Sequence, residues 1–228
     1  MKRTWTAILS AILICFAMVT PLRSDTLAPA GAPVSKDLKQ ALDRLQQHYR
    51  DTNSFSAKFN EEIATVGAPK RNRQGTVSLR KPGRMRWDFE TPDKQTIVSD
   101  GETLYTYDPD LNQVVETPLK QALESSSATA FLLGIGNIKR DFKAEFAKPA
   151  TPTGLIDLIL NAKAGGYKVE LGVDPKTYDL ATLTLTDQLG NVTRIYFSEV
   201  RDNVELPDSM FAFKTPPGAD IVTAPASP

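Results

Sequence analysis

The first periodic stretch of the chain runs from Lys36 to Tyr49, where Leu38, Ala41, Leu42, Leu45 and Tyr49 recur at helical spacing behind Ser35 as a candidate N-cap. The period then changes to two. Phe55, Ala57 and Phe59 alternate with Ser56, Lys58 and Asn60, and Val77 and Leu79 alternate with Ser78 and Arg80. Such alternation predicts strands with one wet face. Further short runs follow at Met85–Phe89, Gln95–Ser99, Thr103–Tyr107, Gln113–Glu116, Leu155–Asn161, Tyr167–Val173, Ala181–Thr186 and Thr193–Ser198. Asp100-Gly101, Asp108-Pro109, Gly165-Gly166, Asp174-Pro175 and Gly190-Asn191 punctuate them as turns. Ten or so hairpin-linked strands predict one large antiparallel sheet, curved or partly closed as a barrel.

One excursion interrupts the meander. Thr117 can cap and Pro118 suits a first helical position, so Leu119 to Leu123 reads as a short helix. After three serines, Ala128 to Leu133 reads as a second, ending at Gly134. A hairpin needs only a few residues, so helices inserted here are expected to cover an open end of the sheet; packing of Phe131 and Leu133 outside the core is the alternative.

The first residues bear on location. Lys2 and Arg3 precede an uncharged run, Thr4 to Leu22, whose apolar centre is Ala7 to Val19 and which Pro21 and Arg23 close. The centre is shorter than the ~20 residues that span a bilayer, and the layout is that of a secretory signal peptide. Residues 1–24 are read as that leader, 25–35 as a flexible lead-in, 36–222 as one domain and 223–228 as a Pro/Ala-rich tail. Cys15 leaves with the leader, and Ile14 before it argues against lipidation, so neither disulfide nor thiol chemistry is expected. Loss of Lys2, Arg3 and Arg23 leaves 24 basic against 27 acidic residues, a formal charge of −3 that disfavours nucleic acid.

Catalysis finds little support. His48 is the single histidine and reads as a surface or helix-packing residue. Asp108 with Asp110, or Glu61 with Glu62, resemble acid/base pairs in spacing alone, and turn or exposed-strand roles are commoner. Gly134-x-Gly136 lacks the rest of any nucleotide fingerprint. No enzyme activity, cofactor or metal is expected.

The richest stretch is Lys81-Pro82-Gly83-Arg84-Met85-Arg86-Trp87-Asp88-Phe89-Glu90-Thr91-Pro92. Met85, Trp87 and Phe89 share one strand face, and Arg84, Arg86, Asp88 and Glu90 share the other. Together with Val98-Ser99-Asp100-Gly101, Leu104, Tyr105, Tyr107-Asp108-Pro109 and Met210-Phe211-Ala212-Phe213-Lys214-Thr215-Pro216-Pro217-Gly218, it resembles the LolA family of periplasmic lipoprotein carriers, over the chain from the first helix to about Val222. The resemblance implies an incomplete, half-open antiparallel β-barrel covered by a helical lid. It implies a monomeric carrier that accepts lipoproteins from an inner-membrane ABC transporter and hands them to an outer-membrane receptor lipoprotein. Phe55, Phe59, Met85, Trp87, Phe89 and Leu104 would face the acyl-binding cavity, and Phe131, Leu132 and Leu133 would come from the lid. At the position of Lys81 the best-studied branch has an arginine that bonds lid carbonyls and holds the lid closed. Lysine offers a single flexible charge in place of a rigid fork, so either Lys81 latches more loosely or Arg80 or Arg84 takes part. A lipid- or lipoprotein-sensing regulator on the same half-barrel is the alternative function; an additional partner-binding domain would mark it.

Overall fold

A computed structural model describes residues 37–125, 138–148, 153–163 and 167–223. Helix α1 spans Leu38–Asp51. Its N-cap is Asp37 rather than Ser35, because the Asp37 carboxylate accepts from the backbone N–H groups of Lys39 and Gln40, at 2.8 and 3.4 Å. Ala41, Leu42 and Leu45 form its buried stripe.

Among the described residues twelve strands follow: β1 Ser54–Ala64, β2 Arg71–Arg80, β3 Arg84–Thr91, β4 Gln95–Asp100, β5 Thr103–Asp108, β6 Gln113–Pro118, β7 Phe142–Phe146, β8 Ile156–Ala162, β9 Lys168–Val173, β10 Leu180–Thr186, β11 Val192–Asp202 and β12 Asp220–Thr223. They form one open sheet in the order β12-β6-β5-β4-β3-β2-β1-β11-β10-β9-β8-β7. Every pairing is antiparallel except β12 with β6, which is parallel and corrects the expectation of a uniformly antiparallel sheet. The central pairing, β1 with β11, joins the two hairpin runs and sets Phe59 opposite Phe197.

Two short helices flank residues 126–137: α2, Leu119–Ser125, and α3, Ile138–Asp141. Leu119 is buried, and its backbone N–H donates to the Glu102 carbonyl at 2.8 Å. Ile138 is 1% exposed, and its N–H donates to Gln46 Oε1 of α1 at 2.9 Å. The predicted second lid helix, Ala128 to Leu133, lies outside the described residues, as do the leader, residues 25–35 and the Gly165-Gly166 turn.

One continuous core covers the inner face of the sheet and the buried stripe of α1, reaching from Met85 and Trp87 on β3 to Phe142 on β7. Burial follows the two-residue period: on β3, Met85, Trp87 and Phe89 are buried, while Arg84, Arg86 and Asp88 are half-exposed. The outer face has its own smaller cover. Residues after β11 run back across it, with a 3-10 helix at Asp208–Phe211 and Phe213 stacked on Tyr105 at 5.0 Å. Arg86 Nη1 donates to the Met210 carbonyl at 3.2 Å. Gly75 marks the tightest approach within the sheet, since a Cβ there would sit 1.9 Å from the Asp88 carbonyl oxygen.

Candidate functional site

A cavity of about 640 Å³, counted to its open mouth, lies between the C-terminal turn of α1 and the inner face of the sheet. Its apolar wall is Phe55, Val77, Leu79, Trp87, Leu180 and Phe197. Neighbouring strands lie ~4.8 Å apart, so Trp87 on β3 and Leu180 on β10 are separated by about 19 Å measured along the sheet. Both border one space because the sheet bends around it.

Register decides which aromatics line this space. Phe55 packs edge-to-face on Phe197 at 5.8 Å, and Trp87 meets Phe197 at 6.4 Å, so these three rings form a contiguous patch. Phe59 sits deeper, edge-on to Trp87 at 4.8 Å and to Phe89 at 5.1 Å. Of the residues expected to face a cavity, Phe55 and Trp87 line it. Phe59, Met85 and Phe89 are on the same face but fill the core beside it, and Leu104 is partly buried against that core. Phe131, Leu132 and Leu133 lie outside the described residues.

Beyond Phe59 and Phe89 the inner face turns polar. Glu61, 7% exposed, accepts from Arg73 Nε at 2.6 Å, and Arg73 Nη1 donates to Gln95 Oε1 at 3.1 Å. The Arg73 guanidinium also covers the Phe89 ring, 4.0 Å from its centroid. Glu61 is thus a buried, ion-paired residue and not the exposed strand position expected of it; one carboxylate inside an otherwise apolar alternation carries no sign of its partner. Asp108 caps its own turn by accepting from the N–H groups of Asp110 and Leu111, as its spacing suggested.

The mouth is charged. His48 Nε2 lies 3.1 Å from Asp202 and 3.4 Å from Asp179, tying α1 to the end of β11 and the start of β10. The hydrogen bond to Asp202 raises the His48 pKa, against burial, which lowers it. His48 is therefore a bridge at the cavity rim, more than a surface or packing residue. His48, Asp179 and Asp202 also bring three ligand-type atoms within 4.8 Å of one another, because His48 Nε2 faces both carboxylates.

Across the mouth, Lys81 Nζ donates to the main-chain carbonyl of Tyr49, in the last turn of α1. Burial lowers the Lys81 pKa, and burial raises that of the neighbouring Tyr49 phenol. Arg80 and Arg84, which also border the cavity, point their ends to the outer-face strap: both reach Asp208, and Arg80 also donates to the Leu206 carbonyl. The three basic residues considered for a latch thus have separate anchors, α1 for Lys81 and the strap for both arginines. Tyr49, Val77, Leu79, Leu180 and Phe197 were not singled out from sequence; each belongs to a recognised element, but only long-range pairing brings them to one space.

Among the described residues no helix is long and apolar enough to cross a membrane. A solved structure of an uncharacterized conserved protein from Thermus thermophilus shares the fold, with a TM-score of 0.53 at 14% identity over 82% of this chain and 98% of that one. The outer-membrane lipoprotein carrier protein of Dechloromonas aromatica is 35% identical over 210 residues, 91% of this chain and 93% of its own. That of Chromobacterium violaceum is 34% identical over 217 residues, 91% and 97% of the two chains. The profile of the family described as outer membrane lipoprotein carrier protein LolA matches residues 50–214. This chain belongs to the LolA family of outer membrane lipoprotein carrier proteins.

Proposed function

We propose that the protein carries lipoproteins through the periplasm, sheltering their acyl chains in the cavity between α1 and the sheet. The observation behind this reading is the open, aromatic-walled space of Phe55, Leu79, Trp87 and Phe197 in a chain of this family. Each methylene taken from water is worth ~0.8 kcal/mol, so an acyl chain of about fifteen methylenes resists entering water by about 12 kcal/mol. A protein surface that replaces water around the chain removes much of that barrier, while a charged, movable mouth keeps binding reversible.

In this reading residues 1–24 direct export and are removed, residues 25–35 are a lead-in, residues 36–222 are the carrier domain and 223–228 a tail. An inner-membrane ABC transporter loads the cargo and an outer-membrane receptor lipoprotein takes it. Phe131, Leu132 and Leu133 belong to a lid carried by the chain between α2 and α3; Leu119 on α2 and Ile138 on α3 are buried. Phe59, Met85, Phe89 and Leu104 back the wall. The activity is binding and hand-over, without a covalent step.

The test is incubation of the purified protein with membranes that hold tagged lipoproteins and an active transporter. Recovery of a soluble one-to-one complex is the expected result. Lipoproteins that stay in the membrane fraction, or emerge hydrolysed, would sink the carrier reading.

A further inference from the structure

Four basic side chains border the mouth of the cavity. Of Arg80, Lys81, Arg84 and His48, His48 is met by Asp202 at 3.1 Å and Asp179 at 3.4 Å, and Lys81 feels the charges of Asp51 and Asp202 without contact. Arg80 and Arg84 are drawn to Asp208 on the outer face. Lys81 forms no ion pair among the described residues and spends one donor on the Tyr49 carbonyl. An ammonium carries three N–H donors and no acceptor, so among the described residues two of them have no partner beside the apolar wall. A half-buried cation next to aromatic rings is stabilised by an anion that brings its own apolar body into the space.

We infer that the Lys81 end of the cavity is a headgroup subsite for a single-chain anionic amphiphile, with the acyl chain against Phe55, Leu79, Trp87 and Phe197. The shared chemistry is one alkyl chain ending in an anion, either the carboxylate of a free fatty acid or the phosphate of a lysophospholipid. This rests on the reading of the cavity as an acyl-chain site and adds a head-group preference to it. The anion sits at the rim, where water still reaches it, and takes the two free Lys81 donors without displacing the Tyr49 carbonyl. A chain of the same length with a neutral end fills the same wall but leaves those donors unused.

The experiment is calorimetric titration of the purified protein at neutral pH with laurate, dodecanol and lauroyl lysophosphatidate. A charge-assisted hydrogen bond predicts that at least one anion binds about tenfold or more tightly than dodecanol; comparison of laurate with lysophosphatidate identifies the source. Lys81→Met should bring the ratio close to one, whereas Lys81→Arg should preserve most of it. The wild-type ratio needs no variant, and far-UV circular dichroism establishes that each variant is folded. Equal binding of all three ligands overturns the headgroup subsite but leaves the acyl cavity standing. A preference that persists in Lys81→Met overturns the assignment to Lys81. Binding of none, alongside a recovered lipoprotein complex, overturns the subsite without touching the carrier role.

Discussion

Lys81, just after β2, donates its ammonium to the main-chain carbonyl of Tyr49, in the last turn of α1. The backbone N–H of Lys81 also donates to the Asn53 carbonyl at 2.9 Å. Two bonds from one residue therefore fix the helix exit against the sheet, at the mouth of the cavity. The latch carbonyl in the described residues belongs to the first helix. Replacement of Lys81 by leucine removes the side-chain bond and adds apolar surface at the mouth. The expected outcome is a folded protein, weakened by about 1–2 kcal/mol, that loads lipoprotein but retains it when mixed with acceptor membranes. Hand-over at the wild-type rate would exclude Lys81 from release.

A pH effect follows from His48. Its pKa is raised above 6.5, first by the hydrogen bond to Asp202 and then by the charges of Asp202, Asp179 and Asp51. A group whose pKa is higher folded than unfolded contributes its full stabilisation below pH 6.5 and loses it as pH rises through the folded value. The melting temperature should thus fall between pH 6.5 and mildly alkaline pH, and His48→Gln should flatten that segment. The partners are a fifth to a third exposed, so the effect stays below about 1 kcal/mol. Parallel melting curves for the two proteins would refute it.

Trp87 and Phe55 both touch the cavity, yet substitutions there should behave differently. Trp87 is 9% exposed and packs against Phe59, so Trp87→Asp forces a carboxylate among rings and should cost about 3–5 kcal/mol or more. Phe55 is half-buried and near the mouth. Phe55→Asp should keep a cooperative unfolding transition and lose lipoprotein binding. A Phe55→Asp protein that forms the soluble complex normally would remove this ring from the site.

The Glu61–Arg73 pair gives a stability prediction. Arg73→Leu leaves the Glu61 carboxylate buried without its cation and should destabilise the protein by about 3 kcal/mol. Replacing both together, Glu61→Leu with Arg73→Leu, should recover most of the loss, since an apolar pair of similar size suits this face. Urea unfolding of the two variants measures this directly; equal losses would mean that the pair does not act as a unit.

Much of the fold was legible because a strand with one buried face announces itself by alternation, as Met85, Trp87 and Phe89 do. Two strands escaped for different reasons. In β7, Phe142, Ala144 and Phe146 do alternate with Lys143 and Glu145, but the signal is five residues long and abuts α3. β12 has no buried residue at all, so no pattern could mark it; pairing with β6 alone makes it a strand. The site was legible as a face but not as a space. Periodicity places Phe59, Met85 and Phe89 with Trp87, yet whether neighbouring side chains fill a gap depends on β11 lying beside β1, which sets Phe59 opposite a residue as distant in the chain as Phe197.

Trp5 falls within the proposed leader, and Trp87 is the other of the two tryptophans in the chain. With the leader gone, every photon emitted by indole comes from the wall of the cavity. Emission should move to shorter wavelength when an alkyl chain displaces water from that ring, so occupancy can be followed optically without attaching a dye. The carrier is, in that sense, its own gauge of whether it is loaded.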